Sequence, residues 1–295
     1  MDTEKKEKLK GIILVNLATL TWATNIALGR HLRNDIGPLS LAAARYCVAA
    51  LVFALLLRKA PPEERRRGGD GPALTGMTIS GILLFAPLLY FGLNFTTAVN
   101  GTLINGIAPL LTAFFAAGFI KEPFSRRQAA GSVIALAGVL TLISGASPAF
   151  FRTAAVNPGD LLVVSAVLMW SLYSVAARRA MRSRSPLSAT ALSIFPALPV
   201  LLAAALWESI RFPPVVSPKL AALVLYIGLV PAALGFLAWN WGIKKLGAGG
   251  AMVFYNTLPL YGALLGIFFL GETPGAAHLA GGLMIIAGGL VAARS

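Results

Sequence analysis

Apolar positions along this chain come in long runs. Residues 12–28, 39–57, 129–143 and 279–293 are nearly free of charge. With its flanks, each run reaches the roughly 20 helical residues needed to cross about 30 Å of hydrocarbon. A lipid-facing strand would alternate apolar and polar residues over about ten positions. These runs are instead continuously apolar, with Gly, Ala, Ser and Thr scattered inside them. Small residues let helices approach closely in lipid, and a helix satisfies its own backbone polar groups there. The pattern predicts an all-α polytopic membrane protein. Ten transmembrane helices are expected, over 11–30, 38–58, 73–94, 98–120, 126–145, 158–179, 187–208, 219–242, 248–270 and 275–293.

The pattern also repeats. At an offset of 150, Pro109 meets Pro259, Glu122 meets Glu272, Gly131 meets Gly281 and Gly138 meets Gly288. Earlier in each half the offset is 148, and Trp22 meets Trp170, Arg30 meets Arg178 and Pro38 meets Pro186. Two blocks in consistent register, sharing Trp, Pro, Glu and Gly, argue against chance. The halves are 11–145 and 158–293, with five helices each. Five is odd, so the second half enters the membrane from the opposite side. Inverted repeats of this kind characterise secondary transporters, whose halves rock around a site near the midplane.

Charge then sets the orientation. With the N-terminus in the cytoplasm, 19 of the 25 Lys and Arg fall inside, and only Arg30, Arg33, Arg152, Arg211 and Lys219 fall outside. The positive-inside rule therefore predicts that both termini are cytoplasmic. The start of the chain is charged and then apolar, like a signal peptide. Its apolar run is too long and lacks a small-residue cleavage site, so it is expected to be the retained first span. The net charge of +14 would suggest nucleic acid in a soluble protein. Here the basic residues lie between apolar runs, so membrane lipid is the expected partner and nucleic acid is not. Composition agrees, with 57% hydrophobic and 12% charged residues and a mean hydropathy of +0.77. A single cysteine, Cys47, excludes an intramolecular disulfide.

The stretches TWATNIALGR (21–30), LLTAFFAAGFIKEPFSRRQAAGSVIALAGVLTL (110–142) and LYGALLGIFFLGETPGAAHLAGGLMIIAGGLVA (260–292), with the segment 92–109, resemble the EamA-type drug/metabolite transporter superfamily. In that superfamily each five-helix half carries a small-residue-rich helix, a proline, an apolar run, "G-E" and a glycine-rich final helix. LGET (270–273) keeps the pattern, and Lys121 replaces the usual glycine in the first half. The resemblance is closest to the bacterial amino-acid exporters, the aromatic amino-acid exporter among them. It implies a multi-pass protein of the cytoplasmic (inner) membrane that exports amino acids, aromatic and other, or similar small metabolites.

Polar and aromatic residues deep in a span are the candidate site. Trp22 and Asn25 share a face of the first helix, and Trp170 and Tyr173 share the related face of the sixth. Tyr90 on the third helix has Asn240 on the eighth as its repeat mate. Asn105 on the fourth corresponds to Tyr255 and Asn256 on the ninth. All nine are candidate substrate contacts, although helix packing and interhelical hydrogen bonds would use the same residues. Pro109 and Pro259, at equivalent mid-helix positions, are candidate hinges, because proline removes a backbone bond. Arg45 is the one charge well inside a span. It could fork onto a substrate carboxylate, but the expectation is that it snorkels outward to pair with Asp35.

No Asp or Glu is expected mid-span, and His31 and His278 lie at helix ends. That counts against an intramembrane enzyme, which needs a catalytic or metal cluster, and against proton-coupled export of lipophilic cations. Multidrug export within the same superfamily remains the alternative. No metal or cofactor is expected. A small molecule is the expected substrate, and a monomer the expected unit.

Overall fold

The computed structural model describes residues 3–65, 70–121, 125–145, 156–255 and 257–293. All regular structure among them is helical. Seven helices are long and apolar enough to cross a membrane. They are α1 (Thr3–His31), α2 (Pro38–Lys59), α3 (Gly71–Phe95), α4 (Ala98–Ile120), α6 (Pro158–Ala180), α7 (Pro186–Arg211) and α8 (Pro218–Gly242). Three further apolar helices are α5 (Arg126–Ile143), α9 (Thr257–Leu270) and α10 (Ala276–Ala293). The helical trace of α8 runs on to Tyr255. Sixteen residues of straight helix would separate Trp239 from Tyr255 by about 24 Å. Their ring centroids lie 5.5 Å apart, so this helix is not straight; it runs through 243–247, where the sequence expects a turn, and α9 starts at Thr257 and not at 248.

Helix starts follow ordinary capping chemistry. Proline stands in the first turn of α2, α6, α7 and α8, where its missing N–H costs nothing. Asn157, Ser185 and Ser217 cap α6, α7 and α8 through their side-chain oxygens.

Two glutamates cap at long range. Glu208, on the last turn of α7, accepts from the backbone N–H of Leu39 (3.1 Å) and of Ser40 (2.8 Å) and from the Ser40 hydroxyl (2.8 Å) at the start of α2. Glu272, of the LGET stretch, accepts from Ala98 N (2.8 Å) and Val99 N (2.9 Å) at the start of α4. A carboxylate on unpaired N–H groups at a helix start is stabilised by hydrogen bonds and by the helix dipole. We expect Glu208→Ala to cost about 1–3 kcal/mol, the penalty for leaving such buried donors unpaired. Heating in detergent followed by size-exclusion chromatography would read this as earlier loss of the folded peak. Glu122, the repeat mate of Glu272, lies outside the described residues.

The two glycine-rich helices, α5 and α10, pack on one another backbone to backbone. A Cβ built on Gly138 would sit 2.6 Å from the Gly281 carbonyl oxygen, and one on Gly281 would sit 2.6 Å from that of Gly138. A Cβ on Gly288 would come within 2.5 Å of the Gly131 oxygen. Only glycine allows this approach.

Four spans depart from a plain α-helix, and one of them, α7, narrows to a 3-10 turn over Phe195–Ala197. α3 winds as π-helix over Met77–Leu84, and α8 does so over Gly228–Gly235, which contains Pro231. α4 breaks at Gly106–Ile107. The π-helical stretches of α3 and α8 lie at corresponding positions of the repeat.

Candidate substrate site

The centre of the bundle is aromatic. Trp22 on α1 meets Trp170 on α6 edge to face, with centroids 5.2 Å apart and planes at 75°. It also touches Phe236 (5.8 Å), Trp239 (5.2 Å) and Tyr255 (6.0 Å). Trp170 stacks on Tyr173 at 5.0 Å and 20°, and Phe85 closes on its other side at 5.1 Å. These geometries suit the ring quadrupole.

Phe85 and Phe236 each follow directly on one of the π-helical stretches. A π-turn shifts the register of everything after it and releases backbone carbonyls from the helix ladder. Two carbonyls 150 positions apart are used alike. The Tyr46 hydroxyl donates to Gly81 O at 3.1 Å, and Trp22 Nε1 donates to Pro231 O at 3.2 Å. Gly81 has to be glycine, since a Cβ there would sit 2.1 Å from the Tyr173 ring. Gly29 likewise leaves room for the ring of Tyr90.

Against this cluster stands Arg45. Its side chain does not reach the surface and does not pair with Asp35, contrary to the sequence expectation. It is 1% exposed. Its Nη1 donates to the Tyr90 hydroxyl (2.9 Å) and to Asn25 Oδ1 (3.3 Å), and that hydroxyl in turn donates to Asn25 Oδ1 at 2.6 Å. The guanidinium also lies 4.9 Å from the centroid of the Tyr46 ring, in cation–π range. Snorkelling requires a side chain near the helix end on a lipid-facing side. Arg45 lies on the opposite side, directed at α1 and α3. Among the described residues no carboxylate contacts it, and its Nε has no partner. Trp170 Nε1 and the Tyr173 hydroxyl also lack a bond of ordinary geometry.

Trp22, Asn25, Arg45, Asn105, Trp170 and Tyr255 line one small central cavity together with Phe85, Phe236 and Leu89. Its volume is about 20 Å³, room for one water molecule. The cavity is too small for an amino acid, and a larger occupant requires the helices around it to part. Both ends of the bundle carry polar ties. Asp70 pairs with Arg179, and Glu7 with Lys245, on the side of the N-terminus. On the opposite side Arg30 donates to the carbonyls of Leu93 (2.8 Å) and Asn94 (3.0 Å). There Asp160, 2% exposed, accepts from the Thr96 hydroxyl (2.5 Å) and Asn100 Nδ2 (3.1 Å).

The sequence-predicted residues divide accordingly. Trp22, Asn25, Asn105, Trp170 and Tyr255 reach the cavity, Tyr90 joins through Arg45, and Tyr173 backs Trp170. Asn105 donates to its own helix at Gly101 O (2.8 Å). Asn240 does not reach the cavity. Its Nδ2 donates to the Thr190 hydroxyl at 3.0 Å, which answers its hydrogen-bonding need on α7. Asn256 lies outside the described residues. Pro109 is not mid-helix. It stands in the first turn of the helix that restarts after the Gly106–Ile107 break, and Pro259 stands in the first turn of α9. Sequence reasoning missed Phe85 and Phe236, because placing them requires the π-turns.

With this geometry in view, comparison with known proteins is decisive. The profile of the EamA-like transporter family matches residues 9–144 and 157–294. The chain belongs to the EamA-like transporter family. Similar proteins span nearly its whole length. The uncharacterized transporter YyaM of Bacillus subtilis (strain 168) is 30% identical over 288 residues, 95% of this chain and 92% of the relative. A probable terminal-alkyne amino-acid exporter of Streptantibioticus cattleyicolor is 25% identical, again over 95% of this chain and 92% of the relative. A solved crystal structure matches with TM-score 0.64 at 23% identity, over 97% of this chain and 95% of that one, which speaks for the fold. The protein is thus an EamA-like, multi-pass membrane transporter of the drug/metabolite superfamily, and a small molecule is its cargo.

Proposed function

We propose that this transporter exports amino acids of broad specificity, aromatic ones included, across the cytoplasmic membrane by alternating access. Two five-helix halves, 11–145 and 158–293, inserted with opposite orientation and with both termini in the cytoplasm, supply the moving parts. Both halves line the cavity, so a monomer suffices. The observation that carries this reading is Arg45, a buried guanidinium on the cavity wall with neutral neighbours only. A buried cation without a counter-charge is costly, and a substrate carboxylate would supply one in bidentate geometry. The aromatic wall formed by Trp22, Trp170, Phe85 and Phe236 would take the side chain. Such walls discriminate weakly among apolar groups, at about 1–3 kcal/mol per methylene, hence the breadth. The relative named as an amino-acid exporter supports the substrate class. The break before Pro109, Pro259 in the first turn of α9 and the two π-helical stretches are the proposed hinges.

The test is uptake of labelled amino acids into proteoliposomes, with and without a pH gradient. Saturable uptake of several amino acids is expected. Transport of cationic dyes with no amino-acid uptake would overturn the reading in favour of multidrug export, which a buried Arg45 disfavours by repulsion. In the same assay Trp170→Ala is expected to lower kcat/KM for aromatic substrates about tenfold or more, given about 0.5–1.5 kcal/mol per lost aromatic pair beyond the area lost. Glycine uptake should fall less.

A further inference from the structure

Away from the central cavity, α1, α8 and α9 leave a groove of about 430 Å³ between them. That volume is in the range of small-molecule sites. Its walls are Leu28, Leu223, Leu265 and Phe269, and Phe269 is 78% exposed, so the groove opens toward the membrane. Its mouth lies at the end of the bundle away from the N-terminus. There Lys219, on the first turn of α8, and His31, the last residue of α1, both border it and are both exposed. Its floor is the hydrogen bond between the Thr24 and Tyr226 hydroxyls, at 3.0 Å. Each floor residue lies seven positions from its mouth residue, about 10 Å deeper along its helix.

A cationic mouth at interface depth, an apolar channel below it and a floor already satisfied in hydrogen bonds together describe the outline of a lipid. No carboxylate lines the groove, and Lys219 forms no ion pair among the described residues. We propose that this groove holds one anionic phospholipid, its phosphate against Lys219 and His31 and one acyl chain laid between α1, α8 and α9. A zwitterionic choline lipid offers the same chain and phosphate but brings its own cation to Lys219. The site adjoins the transport machinery. Thr24 neighbours Asn25, and Tyr226 lies two residues before the π-helical stretch whose Pro231 carbonyl holds Trp22. A lipid seated there would press the top of α8 against α1.

The experiment uses the full chain in detergent and two probes with identical acyl chains, phosphatidylglycerol and phosphatidylcholine. Native mass spectrometry should show phosphatidylglycerol retained about fivefold better, the weight of one cation near an anionic headgroup. Lys219→Gln should erase that preference, and Leu223→Trp should abolish retention of both. Photo-cross-linking of the unsubstituted protein with a phosphatidylglycerol carrying a diazirine in its acyl chain guards against misfolded variants. Labels should concentrate on Leu223, Leu265 and Phe269. Equal retention of the two lipids, a preference untouched by Lys219→Gln, or labels spread over all lipid-facing helices would each overturn the assignment. Displacement of the label by an amino acid, with no lipid retained, would make the groove a side entrance for substrate and overturn it too.

Discussion

Arg45→Met is expected to reduce uptake of free amino acids by about 10- to 100-fold in kcat/KM, while amines and amides of the same side chains lose little. The magnitude follows from a charge-assisted hydrogen bond worth about 1.5–3 kcal/mol, at about 1.4 kcal/mol per factor of ten. Methionine fills the space without bringing a donor. Arg45→Lys should fall between, since an ammonium keeps the charge and loses the fork. The variant protein should remain folded, because removing an unpaired buried charge lifts a desolvation cost even as it costs Tyr90 and Asn25 a partner. Stability and transport are therefore predicted to move separately, which distinguishes a substrate contact from a structural pillar. Equal losses for the free acid and the amide would sink the carboxylate assignment.

Tyr90 sharpens the same point. Its hydroxyl donates to Asn25 and accepts from Arg45, so it fixes the direction of the guanidinium. These three residues lie on three different helices. Each was visible in the sequence as a polar group inside an apolar run. Their conjunction was not, because it depends on which face of α2 turns inward, and a lone arginine seven residues into a span reads equally well as a snorkelling one. Trp22, Trp170 and Tyr255 were legible because the repeat marked them twice. Asn240 was marked in the same way and lies off the cavity wall, since an amide inside a helix bundle is satisfied as readily by a neighbouring hydroxyl, here Thr190, as by a ligand.

Most helices were readable from hydrophobic runs to within a few residues; the exceptions are α1, which starts at Thr3 and not at 11, and the turn expected at 243–247, which lies within helix running to Tyr255. The irregularities of the helices were not readable. Proline explains a π-turn at Pro231, but Met77–Leu84 contains no proline. Its winding is set by tertiary contacts, with Tyr46 drawing on the Gly81 carbonyl and Tyr173 filling the space above Gly81. Phe85 and Phe236 were hidden for that reason, since they enter the cavity wall only after the register shift. The glutamates show the complementary limit. Composition placed Glu208 and Glu272 at helix ends, and only the fold reveals that each caps a different helix from the one it follows.

The glycines of α5 and α10 lead to the second large effect. Gly138→Leu and Gly281→Leu should each destabilise the protein by at least about 1–3 kcal/mol, the usual cost of forcing atoms into a packed contact, read as early loss of the folded peak on heating in detergent. The two positions are mutually opposed at the same 2.6 Å approach. The milder pair Gly138→Ala and Gly281→Ala should therefore shift stability by equal amounts. Because both change one contact, the double variant should cost less than the sum. Gly118 is the control. It lies exposed on α4 with nothing near its missing Cβ, so Gly118→Ala should be neutral or stabilising, by up to about 1 kcal/mol from helix propensity. The α5–α10 contact lies away from the cavity. Gly138→Ala protein that survives at low temperature should thus transport with unchanged KM, whereas a raised KM would tie these helices to the substrate path. The repeat mate of Gly138 is Gly288, whose Cβ would sit 2.5 Å from the Gly131 oxygen, so unequal effects of Gly138→Ala and Gly288→Ala would count against the two-fold relation of the halves.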